Sequence, residues 1–192
     1  MSPSKAQLRK HMRQQRQALK PPAQLRAASA VSRRVNQLPG WSEATRIALY
    51  LANDGEIETS SLEAVCRSEG KLLFLPVINE NNELEFALWD SAMTLQANRF
   101  GIPEPAADAE RSSVSALDIV LLPLVAWDLH GGRLGMGGGY YDRALAGVDG
   151  PLLVGLAHAL QQVARVPGDP WDISMDFVLT EAALHCCRVE TN

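Results

Sequence analysis

The sequence has few cysteines and no long apolar run. Cys66, Cys186 and Cys187 are the three cysteines among 192 residues, and two of them are adjacent. An odd number with this spacing fits neither a disulfide framework nor a set of zinc ligands, so we expect buried or idle thiols in a reducing cytoplasm. No continuous apolar stretch approaches the roughly 18 residues that a membrane-spanning helix needs. These absences favour a cytoplasmic protein with no membrane partner.

Acidic residues are absent from the first part of the chain. The first is Glu43, whereas nine of the eighteen Lys and Arg residues lie within residues 1–34. A basic, acid-free start is typical of a transit peptide, of an arm that binds nucleic acid, or of part of an anion site. Apolar residues recur at helical spacing on both sides of Pro21-Pro22, which predicts two packed helices over about 3–38. A transit peptide that is removed has no need of two packed helices, so we favour an anion site and expect no nucleic acid as partner.

The length of the chain and its 46% hydrophobic content fit a single domain over residues 1–192. Its apolar runs predict strands that alternate with helices, which favours an α/β fold with a mainly parallel sheet covered on both faces. The predicted strands are 46–51, 71–78, 83–89, 117–125, 152–157 and 177–179, and a helix is predicted over 60–68.

Segments with polar side chains come directly after several of these predicted strands. In open α/β sheets a ligand lies beyond the carboxyl ends of the strands, so the segments after them belong together. They are residues 53–59, the loop at 100–105, a glycine-rich stretch after residue 125, and the region of His158. His158 and His130 have no nucleophile or metal-ligand spacing beside them, so we interpret both as structural.

The glycine-rich stretch is the most informative part of the sequence. Glycines let the backbone bring its N–H groups close to a ligand, and a glycine loop between a strand and a helix beginning at Tyr140 can hold phosphate. A glycine-rich surface turn is the alternative. The spacing matches neither a Walker loop, because no Gly-Lys-Ser/Thr ends it, nor a dinucleotide fingerprint. Five glycines fall within eight residues: Gly132, Gly135, Gly137, Gly138 and Gly139.

A longer stretch resembles the signature of a known family. The sequence Leu122-Pro-Leu-Val-Ala-Trp-Asp-Leu-His-Gly-Gly-Arg-Leu-Gly-Met-Gly-Gly-Gly-Tyr-Tyr-Asp-Arg143 closely resembles that of the 5-formyltetrahydrofolate cyclo-ligase family. Weaker pieces match in order and spacing. They are Lys5-Ala-Gln-Leu-Arg9, Tyr50-Leu51, Glu56-Ile-Glu-Thr59, Gly101-Ile-Pro-Glu-Pro105 and Trp171-Asp-Ile-Ser-Met-Asp-Phe-Val-Leu-Thr-Glu181.

The resemblance implies both a fold and a reaction. The fold is a three-layer αβα arrangement like that of the sugar-phosphate isomerases (NagB/RpiA-like). The reaction is the conversion of 5-formyltetrahydrofolate into 5,10-methenyltetrahydrofolate, with ATP and Mg²⁺, and with release of ADP and phosphate. The partner is a small molecule, the folate with or without a polyglutamate tail, and we expect a monomer.

The resemblance also implies a nucleotide site. Lys5 and Arg9 would contact ATP phosphates, and their i, i+4 spacing places them on one helix face, although a solvated basic face is the alternative. Arg133 has a fork of donors suited to phosphate, and a surface salt bridge is its alternative role. Met136 stands where some relatives have a basic residue. The residues implied to contact ATP are Lys5, Arg9, Arg133, Leu134, Gly135, Met136, Gly137, Gly138, Gly139, Tyr140 and Tyr141, with Arg133 and Tyr140 also catalytic.

Folate and metal positions follow from the same resemblance. Leu51, Glu56 and Tyr140 would bind the folate, although Tyr140 is equally explained as a core tyrosine. Asp142 and Asp172 would hold Mg²⁺, because this ion needs only one or two carboxylates besides phosphate and water. Two alternatives stay open for the metal ligands: Asp142 as a charge at a helix start, and Asp176 in place of Asp172.

Two other functions fit parts of the sequence. A sugar-phosphate isomerase would need a carboxylate base near the anion loop and no ATP, and one fold hosts many functions. A regulatory module would bind nucleotide or folate without turnover.

Overall fold

A large mixed sheet lies at the centre of the computed structural model, which describes residues 3–98 and 101–187. Residue 100, at the start of the predicted 100–105 loop, lies outside the described residues. The strands are β1 (Arg46–Ala48), β2 (Leu72–Ile78), β3 (Leu84–Leu88), β4 (Gln96–Ala97), β5 (Pro103–Glu104), β6 (Arg111–Ser112), β7 (Ile119–Pro123), β8 (Ala126–Trp127), β9 (Arg133–Leu134), β10 (Leu152–Leu156), β11 (Phe177–Leu179) and β12 (Leu184–Cys186). The α-helices of the same residues are α1 (Lys5–Gln17), α2 (Pro21–Arg34), α3 (Ser60–Ser68) and α4 (Tyr140–Leu145).

The order of strands in the main sheet is β12, β11, β10, β7, β1, β2, β3 and β6. The five strands from β11 to β2 are parallel, and β12, β3 and β6 each run antiparallel to a neighbour. This arrangement confirms the prediction of an α/β fold with a mainly parallel sheet. Because β2 lies on one side of β1 and β7 on the other, the carboxyl ends of β1 and β7 form a switch point at which ligands bind in such sheets.

Side chains of the parallel strands alternate between two apolar cores, as expected for a sheet covered on both faces. In β2, Leu73 and Leu75 enter one core and Phe74 enters the other. Helices α2 and α3 cover the first core, and α4 with irregular segments covers the second. Gly155 of β10 permits close packing here, because a Cβ atom at this position would overlap the sulfur of Met175. The likeness to sugar-phosphate isomerases stays a prediction.

Helices α1 and α2, in the basic segment over about 3–38, each begin at residues that favour the start of a helix. Ser4 and Gln7 form a capping box at the start of α1, and prolines occupy the first turn of α2. Leu8 and Met12 of α1 are buried in a third small core, against the chain around β8 and β9. Helix α1 is thereby held over the carboxyl end of the sheet. Among the described residues, no helix combines the length and apolar character that crossing a membrane requires.

The structure differs from the predicted strands in one informative way. Strands β1 and β7 are shorter than predicted, because the chain leaves the sheet after Ala48 and after Pro123. The residues after β7 form a separate hairpin, in which β8 pairs with β9 and the turn between them contains Gly131 and Gly132. The prediction of one long strand over 117–125 followed directly by a glycine loop was therefore wrong in its boundaries. Short apolar runs do not distinguish one strand from two.

Candidate active site

Helix α1 lies across the carboxyl edge of the sheet with four basic side chains on one side. Lys5, Arg9, Arg13 and Arg16, hereafter the basic face, contact three segments that follow the strands. These segments are residues 168–172, the glycine loop (residues 135–139) and the turn after β1 (residues 53–56). Positions separated by three or four residues share one face of a helix, so the spacing of the basic face follows from the sequence.

The first turns of α1 contact the 168–172 segment and the glycine loop. Lys5 Nζ lies 2.7 Å from a carboxylate oxygen of Asp169 and 2.7 Å from one of Asp172. Burial alone would lower the pKa of Lys5, but the two carboxylates more than offset it and raise that pKa above its ordinary value. Arg9 Nε donates to the carbonyl oxygen of Gly135 at 2.8 Å. Lys5 is therefore paired with the 168–172 segment, and Arg9 is bonded to the glycine loop.

A buried aspartate shapes the approach to the glycine loop. Asp128 Oδ1 accepts the N–H groups of His130 at 2.8 Å and of Gly132 at 2.9 Å, and Oδ2 accepts the N–H of Val166 at 2.7 Å. A Cβ atom at residue 132 would lie 2.5 Å from this carboxylate, so only glycine fits. The turn joins β8 to β9 and so places Arg133. Sequence reasoning missed Asp128, although an aspartate four residues before a glycine turn is a recognisable Asx-turn signal.

The glycine loop itself adopts backbone angles that side chains avoid. Gly137 has a φ of +104° and Gly139 a φ of +65°. A Cβ atom on Gly137 would lie 3.4 Å from the guanidinium carbon of Arg9, so the loop packs closely against α1. Helix α4 begins at Tyr140, as predicted, but it has only six residues. An anion here would depend on the loop N–H groups and on arginine side chains more than on a helix dipole.

Arg133 lines a pocket of about 430 Å³ beside the glycine loop. Its Nη2 donates to Asp142 Oδ1 at 2.5 Å, and its guanidinium carbon lies 5.8 Å from the ring centre of Tyr141. Its Nε is buried and has no hydrogen-bond partner among the described residues. A buried guanidinium N–H without an acceptor is costly, and a phosphate oxygen is an acceptor that suits arginine well. This orphaned donor supports an anion in the pocket.

Asp142, which was predicted with Asp172 to hold metal, contacts the backbone beside Asp172. Asp142 Oδ1 accepts the backbone N–H of Ile173 at 3.2 Å, and Asp172 directly precedes that residue. Burial would raise the pKa of Asp172, but hydrogen bonds from Lys5 and from the N–H of Asp169 more than offset it and lower that pKa below its ordinary value. Asp172 is therefore an anion in the folded protein at neutral pH.

The alternative metal ligand lies at the opposite edge of the sheet. Asp176 Oδ2 accepts the N–H of Leu153 at 2.9 Å, at the amino ends of β10 and β11. Over residues 3–98 and 101–187, no three or more His, Cys, Asp or Glu side chains are grouped as a metal site. Mg²⁺ needs fewer protein ligands, because phosphate and water complete its shell. Asp142 and Asp172 fit such a two-carboxylate set, because Asp142 Oδ2 and Asp172 Oδ1 take no part in the bonds described above.

Glu56 occupies the switch point after β1. Its Oε2 accepts the N–H of Asn53 at 3.0 Å, and its Oε1 lies 3.8 Å from Arg16 Nη2. Burial raises the pKa of Glu56, and the Asn53 N–H and the Arg16 charge oppose that rise. Burial also raises the pKa values of Tyr50 and Tyr141, and the negative charge of Glu56 raises both further. The charge of Glu56 therefore acts on two phenols, of which Tyr50 is buried and Tyr141 is half-buried.

The two tyrosines after the glycine loop point to different places. The ring centre of Tyr141 lies 5.8 Å from the guanidinium carbon of Arg133, and the negative charge of Glu56 raises the pKa of Tyr141 while the charge of Arg133 lowers it. Tyr140 turns toward the β2–β3 hairpin, where its hydroxyl donates to Asn82 Oδ1 at 3.0 Å. Tyr141 therefore lies beside Arg133, whereas Tyr140 lies beside the hairpin.

Three other residues predicted to contact ligands differ in their exposure. Leu134 is 2% exposed and packs with Leu8 and Met12, so only its backbone faces the glycine loop. Met136 is 53% exposed at the outer side of that loop. Leu51 is half-buried at the edge of the first core. Of the other predicted residues, Lys5 and Arg9 belong to the basic face, Gly135 and residues 137–139 to the glycine loop, and Asp142 and Asp172 to the proposed metal pair.

Comparison with known proteins identifies the family. The family model described as the 5-formyltetrahydrofolate cyclo-ligase family matches residues 1–181. The chain belongs to this family. It is 36% identical over 174 residues to the 5-formyltetrahydrofolate cyclo-ligase of Escherichia coli (strain K12), covering 88% of this chain and 96% of the relative. The cyclo-ligase of Haemophilus influenzae is 35% identical over 178 residues, covering 90% and 95%.

Solved structures agree with the family assignment. The 5,10-methenyltetrahydrofolate synthetase of Aquifex aeolicus superposes with a TM-score of 0.86 at 35% identity, covering 98% of this chain and 95% of that one. The synthetase of Mycoplasma pneumoniae has a TM-score of 0.76 at 23% identity, covering 93% and 99%, and supports the fold alone. The α/β architecture and the enzyme class expected from the sequence are thus confirmed.

Two residues of the cyclo-ligase basic face were not predicted as site residues. Arg13 and Arg16 both pair with Asp54, at 2.7 Å and 2.6 Å. The available signal was the continuation of the Lys5 and Arg9 spacing along α1. The structure also gives His158 a structural role, because its Nε2 lies 3.2 Å from the carbonyl oxygen of Gly55 and burial lowers its pKa.

Proposed function

We propose that this cyclo-ligase converts 5-formyltetrahydrofolate into 5,10-methenyltetrahydrofolate in the cytoplasm, using ATP and Mg²⁺ and releasing ADP and phosphate. The observation that carries the proposal is that Arg9 and Arg133 lie against the glycine loop, while Lys5 pairs with Asp172 in the pocket that Arg133 lines, in a chain of this family. The buried, unpaired Nε of Arg133 supports a phosphate as the anion. The folate substrate, with or without a polyglutamate tail, would meet Glu56 at the switch point.

The proposed chemistry has two steps. The formyl oxygen attacks the γ-phosphorus in line, so an O–P bond forms as the bond from phosphorus to ADP breaks. The second folate nitrogen then attacks the formyl carbon, the C–O bond breaks with release of phosphate, and that nitrogen loses its proton. Phosphoryl transfer of this kind depends on positioning and on neutralising charge, so it requires no side-chain nucleophile. The lining of the pocket includes the cations Arg133 and Arg165 together with the carboxylates of Asp128, Asp169 and Asp172.

Each group in the site has a proposed task. Lys5, Arg9 and Arg133 hold and neutralise the phosphates, and the glycine loop closes around them. Asp142 and Asp172 would hold Mg²⁺, which would neutralise negative charge on the nucleotide phosphates. Glu56 accepts hydrogen bonds from the amide-like edge of the pterin. Tyr140 and Leu51 contribute further contacts to the folate.

The decisive experiment follows the absorbance of the methenyl product in mixtures that lack one component at a time. We expect product only when ATP, Mg²⁺ and 5-formyltetrahydrofolate are all present. Calorimetric titration with each ligand separately distinguishes the other functions. Binding of both ligands without turnover at saturating Mg²⁺ indicates a sensing module, and turnover of a sugar phosphate without ATP indicates an isomerase. Either result would contradict the proposal.

The metal assignment has its own test. Asp142→Ala and Asp172→Ala are each expected to reduce turnover strongly and to raise the Mg²⁺ concentration needed for half-maximal rate. Asp176→Ala is the matched control, because this carboxylate bonds the amino end of β10 at the far edge of the sheet. It is expected to lower thermal stability and to leave the Mg²⁺ requirement unchanged. Equal shifts in the Mg²⁺ requirement for Asp172→Ala and Asp176→Ala would overturn the assignment.

A further inference from the structure

Arg16 is a completely buried charge at the switch point of the sheet. Its side chain has 0% exposure, Nε donates to the carbonyl oxygen of Asp54 at 2.7 Å, and Nη1 donates to that of Leu124 at 3.0 Å. Its Nη2 pairs with Asp54 Oδ2 at 2.6 Å. Asp54 follows β1 and Leu124 follows β7, so one guanidinium joins the carboxyl ends of both strands. Removing a charge from water is costly and is repaid only when its hydrogen bonds are satisfied, as they are here.

The turn that Arg16 holds has an unusual backbone. Asp54 has a φ of +52°, a conformation that few residues other than glycine adopt, and Gly55 follows with a φ of +77°. Arg13 donates to both carboxylate oxygens of Asp54, and Gln17 donates to one of them. Three side chains from the last five residues of α1 therefore fix this carboxylate. Strained residues persist where their surroundings over-determine them, and they cluster at functional sites.

Stability alone does not account for this arrangement. Leu8 and Met12 already anchor α1 in an apolar core, so the helix needs no buried arginine to dock. The residue that follows the strained pair is Glu56. Its Oε1 lies 3.8 Å from Arg16, and its Oε2 accepts the N–H of Asn53 at the other end of the same turn. The conformation of the turn therefore sets the position of this carboxylate.

We propose that Arg16 and Asp54 are positioning residues that clamp the 53–56 turn against α1 and so present the Glu56 carboxylate to the folate. The inference rests on the proposed function, since it takes the folate to be the ligand of Glu56. Neither Arg16 nor Asp54 touches the substrate in this arrangement. Both act through Glu56, and this indirect action distinguishes them from a general support of the fold.

Asp54→Asn is the most informative variant, because asparagine has the same shape, tolerates a positive φ and lacks the charge. The Michaelis constants for 5-formyltetrahydrofolate and for ATP are measured for the wild type, Asp54→Asn, Glu56→Gln and the double variant. We expect Asp54→Asn to raise the constant for the folate about ten-fold and to leave that for ATP within about two-fold. In the Glu56→Gln background, Asp54→Asn is expected to add less than about two-fold.

Asp118→Asn is the matched control. Asp118 accepts the N–H groups of Thr45 and Arg46 at 2.7 and 2.8 Å, at the amino end of the same strand β1. Asp118→Asn is expected to lower thermal stability without changing the Michaelis constant for the folate or for ATP. Arg16→Lys keeps the charge but loses the fork of donors, so it is expected to weaken folate binding in the same direction as Asp54→Asn.

Three results would overturn the clamp. In Asp54→Asn, the Michaelis constant for the folate could be unchanged, or the Michaelis constants for the folate and for ATP could rise equally. In the double variant, the effects of Asp54→Asn and Glu56→Gln on the Michaelis constant for the folate could be fully additive. If the wild type forms product and Asp54→Asn has the same Michaelis constants as the wild type, only the clamp is overturned and the proposed function stands. If the wild type binds folate without turnover, the dissociation constants for the folate are measured by calorimetry for the same variants and replace the Michaelis constants in the comparison. A wild type that binds no folate would overturn the clamp and the proposed function together.

Discussion

The clamp also predicts a pH-dependent contribution of Asp54 to stability. Hydrogen bonds from Arg13 lower the pKa of Asp54, burial partly opposes them, and Arg16 and Gln17 lower it further. The result is a pKa of about 2 in the folded protein, compared with an ordinary value of 3.8. Replacement of Asp54 by asparagine removes this ionisation while keeping the shape of the side chain.

The size of the effect follows from the difference in pKa. A difference of about 1.8 between 3.8 and about 2 corresponds to roughly 2.5 kcal/mol, at about 1.4 kcal/mol for each pKa unit. The side chain of Asp54 is 15% exposed and that of Arg13 is 42% exposed, so solvent screens part of the interaction. We therefore expect Asp54→Asn to lower the free energy of unfolding by about 1–2 kcal/mol at neutral pH.

The direction of the pH dependence follows from the lowered pKa. A carboxyl group with a lowered pKa in the folded state contributes fully above its unfolded pKa, and this contribution is lost as the pH falls toward the folded value. Urea unfolding of both proteins is measured at about pH 7, pH 5, pH 4 and pH 3. The difference in stability should hold from pH 7 to pH 5 and shrink below about pH 4. A difference that is absent at pH 7, or equally large at pH 3, would refute the reasoning.

Two further predictions concern packing and the nucleotide. Gly155→Ala places a methyl group against the sulfur of Met175. Overpacking of this kind should lower the free energy of unfolding, measured by urea titration, by about 1–3 kcal/mol. An unchanged urea midpoint would show that β10 shifts to accommodate the methyl group. Lys5→Ala and Arg9→Ala should each raise the Michaelis constant for ATP about ten- to a hundred-fold through lost charge-assisted contacts, with the exposed Lys10→Ala as control. Values within about two-fold for all three substitutions would rule out a phosphate clamp on α1.

Much of the fold follows from local sequence pattern. Helix Ser60–Ser68 has the predicted bounds, because an apolar stripe with Leu62 and Cys66 lies between residues that end helices readily. The alternation of Leu84, Phe86 and Leu88 correctly predicted a strand that pairs with β2. Such patterns act over a few residues, and each element buries the face that its own sequence defines.

The hairpin of β8 and β9 illustrates what local pattern does not determine. The predicted strand ended at residue 125, and residues 133–134 were assigned to the glycine-rich loop, so the sequence predicted no hairpin here. The hairpin exists because Asp128 binds the N–H groups of the turn on one side and of Val166 on the other. The second contact joins residues 38 positions apart. Propensity and spacing carry no information about such a partner.

The basic face of α1 shows the same limit within the candidate site. Lys5 and Arg9 were identified by resemblance, whereas Arg16 reads from the sequence as one more charge on a helix, and such charges are ordinarily solvated. Its burial depends on Asp54, a residue 38 positions away in a left-handed conformation. Helices rise 1.5 Å per residue, so Lys5 and Arg16 stand roughly 16 Å apart along α1. One rigid element, rather than a set of loops, therefore fixes the separation between the proposed nucleotide end of the site and the carboxylate of Glu56.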